Sequence, residues 1–206
     1  MSRGRLITLE GGEGAGKTTH SKTIAAWLKA QGRDVINTRE PGGSPLAEAI
    51  RGVVLADWAE GIDAPTELLL IFAARAAHLR ATLLPALERG SDVVCDRFID
   101  ASWAYQGAGR GLPAKALQAM EDLVLDGLHP DLTLIFDIAP ELGLARAKGR
   151  GNLNRFEAEN LAFMQRVRQS YLDRAAAAPQ RCVVLDASLA IDQVERQLRQ
   201  VLESRL

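Results

Sequence analysis

Eight consecutive residues carry the densest chemical signal in this chain. Gly11, Gly12, Glu13, Gly14, Ala15, Gly16, Lys17 and Thr18 match the pattern G-x-x-x-x-G-K-[ST]. Glycines let a backbone wrap closely around a phosphate with its N–H groups turned inward, and a helix starting at the lysine adds the positive end of its dipole. Lys17 is therefore expected to reach the β- and γ-phosphates of a nucleoside triphosphate. The Thr18 hydroxyl is expected to coordinate Mg²⁺, and Thr19 completes the nucleotide-binding set. A guanine-reading switch would usually also carry Asn-Lys-x-Asp, and that tetrapeptide is missing here.

More arginines accompany this loop than one triphosphate needs. Arg39 follows Thr38 and Arg97 follows Asp96, each pair at the carboxyl end of an expected strand. A guanidinium donates two parallel hydrogen bonds and keeps its charge, which suits a monoester phosphate. The alternative for Arg39 is a structural ion pair with Glu40 or another acid. Asp96 has the position of a carboxylate that orients a magnesium ion or its waters. Arg75 sits in the run LLLIFAAR, where a buried charge needs a polar partner. Further on, Arg146, Lys148, Arg150 and Arg155 are interleaved with Gly149 and Gly151, the composition of a flap that delivers positive charge to a transferring phosphoryl group while excluding water. For Arg146 and Lys148 a solvated basic loop is an equal reading. His20, His78 and His129 lack metal-ligand spacing.

The elements that must position these groups alternate along the chain. Strands are expected at 6–10, 34–38, 92–95, 132–138 and 181–185, with little polar alternation, as in strands covered on both faces. Helices are expected at 17–30, 45–55, 65–88, 113–125, 140–148, 155–177 and 191–203. This is an α/β pattern: a five-stranded parallel sheet with helices on both faces, one domain over 1–206, and a short lid at about 146–156. Loops after parallel strands gather on one rim, so the chemistry belongs there.

Composition narrows the function. With 25 Lys and Arg against 26 Asp and Glu, the net charge is −1 and no global basic field exists to hold a nucleic acid. Cys95 and Cys182 lie far apart in apolar runs and read as buried free thiols, which fits the cytoplasm. The start lacks a secretory pattern, and Arg75 interrupts the longest apolar stretch, so no membrane association is expected.

Six motifs in order, GGEGAGKTT, TREPGG, FAAR, CDRF, AYQGAGRG and HPDLTLIFD, resemble bacterial thymidylate kinases over nearly the whole chain. The resemblance implies transfer of the γ-phosphoryl of ATP to dTMP, with Mg²⁺, in a homodimer. It puts the dTMP phosphate near Arg97, with Arg39, Glu40 and Arg51 in the same region and Glu13 near the acceptor sugar and phosphate. On the base it implies an aromatic face and an arginine, matched by Phe72 and Arg75; several relatives have the phenylalanine where this chain has Ile71, so either Phe72 takes the role or thymine packs on Ile71. Ser102, Tyr105 and Gln106 complete the acceptor set, with Gln106 on the base edge and Tyr105 against the sugar. Some relatives carry an arginine immediately after the P-loop acid. Here that position is Gly14, so the resemblance assigns the catalytic charge to the lid, to Arg150 first and Arg155 second. Ala187 and Ser188 fall where relatives contact adenine.

Overall fold

The computed structural model describes residues 3–149, 155–156 and 159–206. Five strands form one sheet: β1 (Leu6–Gly11), β2 (Val35–Arg39), β3 (Asp92–Asp96), β4 (Leu132–Asp137) and β5 (Cys182–Asp186). All pairings are parallel and the order is β2-β3-β1-β4-β5. The chain leaves β1 towards β2 on one side, and it leaves β3 towards β4 on the other. The loops after β1 and β3 therefore diverge, and a crevice opens between them at the carboxyl ends of the strands.

Helices α1 (Lys17–Ala30) and α9 (Ile191–Arg205) cover one face, where Ile24, Leu28, Val194, Leu198 and Leu202 pack on Ile7, Leu9 and Phe136. The other face is covered by α3 (Ala64–His78), α4 (Leu84–Glu88), α6 (Ala114–Leu125) and α8 (Leu161–Ala177). Side chains alternate along β1, so Thr8 and Glu10 fall on the same face as Leu6 and are buried there. Both have partners, as buried polar groups require: Thr8 bonds Thr133, and Glu10 accepts from the Phe98 N–H. Helices α2 (Pro45–Leu55), α5 (Ile99–Ser102) and α7 (Pro140–Lys148) complete the α-helices among the described residues.

Three differences from the sequence expectation have local causes. The helix expected over 65–88 is interrupted by a π-helical segment, Leu79–Leu83, just before Pro85. Proline lacks an N–H and crowds the carbonyl four residues back, and wider winding absorbs both. The helix expected from Arg155 starts instead at Leu161, because Asn160 is extended and its side chain caps the Phe163 N–H at 2.9 Å. No helix was expected after β3, yet α5 runs into a second π-helical segment, Trp103–Gly109. By length and hydropathy Ala64–Glu88 could cross a membrane, but Glu67, Arg75 and His78 lie buried in it with polar partners, and Leu68 and Phe72 pack in the core.

Candidate active site

The glycine-rich loop joins β1 to α1. Lys17 folds back over it, donating to the carbonyls of Gly11 at 3.1 Å and Gly12 at 2.8 Å. Burial, and then the nearby Arg97 charge, pull its ammonium down to about 8. The left-handed φ of Gly14, 70°, has a steric reason as well: a Cβ there would stand 2.1 Å from the Gly143 carbonyl oxygen. Gly143 is equally constrained, since its Cβ would meet the Glu13 carbonyl at 2.4 Å. The first turns of α7 thus rest backbone to backbone on the phosphate loop.

Thr18 and Asp96 meet at its far side, the hydroxyl donating to the carboxylate at 3.0 Å. These are hard oxygen donors. Among the described residues no group of three or more His, Cys, Asp or Glu could cage a metal. Two protein oxygens, with phosphate and water supplying the remainder, is how Mg²⁺ is commonly held at nucleotide sites, so the residues fit that ion.

Arg97 adopts φ 69°, a left-handed conformation uncommon for a side chain of its size. The turn directs its guanidinium back to the loop, where it donates to the Gly11 carbonyl at 2.9 Å and to Glu13 Oε1 at 2.5 Å. Tyr105 donates to the same Glu13 oxygen at 3.0 Å, and its ring lies 4.9 Å beneath the guanidinium. Tyr171 of α8 supports the other side of Arg97. Glu10 lies below this group; burial first, then the Asp100 charge, push its carboxyl up to about 7.

A cleft of about 820 Å³ extends from the loop. Arg39, Arg51, Arg75, Arg97, Ser102, Tyr105 and Gln106 line it together with Glu13, Lys17 and Thr18. Arg39 pairs with Glu48 at 3.1 Å at the exposed edge, one of the alternatives its sequence left open. Arg51 donates to the Pro41 carbonyl. Glu40 also lines the cleft but is buried, accepting from Arg75 Nε at 2.7 Å and bonding His78 at 3.0 Å. Arg75 is held further by Ser102 Oγ and the Phe98 carbonyl. The π-helical winding of Trp103–Gly109 carries Tyr105 and Gln106 to the cleft.

Phe72, expected on the base, is placed differently. It is buried in the core, with Arg75 stacked 4.7 Å above its ring, and Ile71 lines the cleft instead. A step of one residue turns a helical side chain by about 100°, which separates the core-facing from the cleft-facing position. Arg155, expected near the triphosphate, donates to the Val54 carbonyl and pairs with Glu67 at 2.7 Å. Arg150 lies outside the described residues. Arg146 donates to the carbonyls of Ala187 and Ser188, bracing the loop after β5.

Sequence reasoning missed Glu10, Glu48, Glu67, His78 and Tyr171. Their partners here are mostly dozens of residues away in the chain, so local pattern gives no hint of them. Buried carboxylates beside arginines become recognisable only once the elements are packed.

Comparison with known proteins agrees with this geometry. A family model described as thymidylate kinase matches residues 9–198. A thymidylate kinase of Pseudomonas fluorescens is 55% identical over 203 residues, covering 98% of this chain and 97% of the relative. One of Alcanivorax borkumensis is 52% identical over 200 residues, covering 97% and 96%. The crystal structure of thymidylate kinase from Ehrlichia chaffeensis superposes with a TM-score of 0.79 at 34% identity, covering 98% of this chain and 99% of that one.

Proposed function

The chain belongs to the thymidylate kinase family, and on that footing we propose that it moves the γ-phosphoryl group of ATP to dTMP, giving ADP and dTDP, within the cleft between Lys17 and Arg97. One observation carries the geometry: both cations donate to the carbonyl of the same residue, Gly11. An anion on the phosphate loop and an anion on Arg97 would face each other across a short gap. Such an arrangement suits in-line transfer without a covalent intermediate, because positioning and charge neutralisation supply most of the rate.

In this reading Gly11 to Thr19 bind the triphosphate, and Thr18 and Asp96 hold Mg²⁺, which neutralises charge on the phosphates. Arg97 holds the acceptor phosphate, with Arg39 and Arg51 near it. Glu13 and Tyr105 fix the angle of the Arg97 guanidinium. Arg75, Ile71, Ser102 and Gln106 receive the base, with Glu40 as the countercharge that makes burial of Arg75 tolerable. The segment 146–156 acts as the lid, with Arg150 delivering charge to the transferring group.

The enzyme works in the cytoplasm as a homodimer, independently of nucleic acid and membrane. Leu69 on α3 and Leu123 on α6 are 58% and 76% exposed, and these apolar side chains favour a subunit contact through the helices that carry them. Sedimentation velocity of the purified chain checks the dimer.

The function is tested by coupled ADP release with ATP, Mg²⁺ and a panel of monophosphates. Rapid turnover with dTMP and little with dCMP or AMP is the expected result. Equal slow hydrolysis with every acceptor, or with none, would refute it.

A further inference from the structure

Glu67 lies on α3, outside the phosphate machinery, with no exposed surface. Its two oxygens have different partners. Oε2 takes Arg155 at 2.7 Å and Arg110 at 3.0 Å, while Oε1 accepts from the Gln106 side-chain nitrogen at 2.8 Å. Arg110 Nε also reaches both oxygens at 3.2 Å. Two guanidiniums therefore hold the carboxylate as an anion-shaped acceptor, and a carboxylate offers only lone pairs.

That fixes the direction of the Gln106 amide. If it turned over, its carbonyl oxygen would face the Glu67 oxygen, two acceptors in contact. With the amide nitrogen committed to Glu67, the Gln106 side-chain carbonyl oxygen, Oε1, has no partner among the described residues, and Gln106 lines the cleft. Arg75 also lines the cleft and gives three of its five N–H groups to Glu40, Ser102 and the Phe98 carbonyl, so donors remain. The cleft therefore presents an acceptor from Gln106 and donors from Arg75.

We propose that Glu67 is a specificity-determining positioning residue: by taking the Gln106 amide nitrogen, it turns the Gln106 carbonyl towards the base and selects pyrimidines with a proton on N3 and an oxygen on C4. This rests on the acceptor reading above. Thymine offers that pattern. Cytosine offers the reverse, a bare N3 and an amino group on C4, and meets acceptor with acceptor and donor with donor. A site built around such polar groups rejects the wrong edge far more strongly than one relying on shape.

The test is Glu67→Gln, assayed with dTMP and dCMP. A glutamine at 67 can donate to the Gln106 carbonyl and so permits the amide to turn over. The ratio of kcat/KM for dTMP over dCMP should fall by about tenfold or more, the scale of one hydrogen bond to a base. KM for dTMP should rise more than kcat falls, and KM for ATP should hold steady, which also reports an intact fold. The exchanged pair Glu67→Gln with Gln106→Glu again presents an acceptor to the base and should restore the ratio. A folded Glu67→Gln protein with unchanged discrimination would overturn the proposal. Should Glu67→Gln fail to fold, Gln106→Met with N3-methyl-dTMP decides instead. N3-methylation should weaken the substrate in the wild type and make little difference in Gln106→Met; a penalty that persists in that variant overturns the proposal. If the wild type itself shows no preference for dTMP over dCMP, the acceptor reading has failed, which is a distinct result.

Discussion

The Tyr171 hydroxyl donates to Glu10 Oε2 at 3.0 Å while standing 3.3 Å from Arg97. The guanidinium at the cleft is thereby tied to a carboxyl in the sheet with no solvent exposure.

The buried Glu10 carboxyl gives stability a distinct pH signature. Burial, then Asp100, raises it from 4.5 to about 7, so between those values the folded chain keeps a proton that the unfolded chain has released. Folding stability contributed by this group therefore falls as pH climbs through that window, by on the order of 3 kcal/mol. Below it both states are protonated and the effect vanishes. Urea unfolding at about pH 5 and about pH 8 should show this loss in the wild type and a smaller one in Glu10→Gln.

Lys17 makes nucleotide binding sensitive to alkali. Its ammonium, drawn down to about 8 chiefly by burial, loses its charge in the free enzyme just above neutrality, whereas bound phosphate favours the charged form. ATP affinity measured by calorimetry should weaken as pH rises past about 8, and the Lys17→Ala protein should lack that dependence. Turnover in Lys17→Ala should fall roughly a hundredfold or more with the fold intact.

Phe72 and Ile71 should separate stability from substrate binding. Phe72→Ala empties a core position and should destabilise the protein by about 3–5 kcal/mol. Ile71→Ala should lose less stability and raise KM for dTMP. If Phe72→Ala instead acts mainly on KM at unchanged Tm, the core placement of that ring is wrong for the working enzyme.

Arg150→Ala and Arg155→Ala should differ in kind. The former should lower kcat by at least tenfold, about 1.4 kcal/mol, with little change in Tm. Arg155→Ala leaves Glu67 with fewer countercharges, so it should lower Tm and disturb dTMP affinity more than kcat. Steady-state kinetics and thermal unfolding of both proteins check the contrast.

Much of this was legible before any coordinates, for reasons specific to the residues. The phosphate loop is contiguous, and its glycines, lysine and threonine act from adjacent positions, so eight letters suffice. The central strands β1, β3 and β4 are legible because two-sided burial gives mostly apolar runs such as LIF and VVC, whereas β2 and β5 at the edges are partly exposed. Helix phase was harder. FAAR gives the right helix without telling Ile71 from Phe72, since both are apolar and only packing decides which one meets the core. Arg155 looked like its basic neighbours, and its commitment to Glu67 depends on a residue 88 positions earlier. The π-helical segment Trp103–Gly109 is not legible because Ala-Tyr-Gln-Gly-Ala-Gly has neither a helical nor a strand period.

The touching backbones of Gly14 and Gly143 bear on how such an enzyme could be remodelled. Any side chain at 14 runs into the opposing carbonyl, so a catalytic cation cannot be installed there by one codon change; α7 would have to be lifted away as well. Position 14 is thus closed to a cation by the backbone that faces it, whatever residue a mutation would supply.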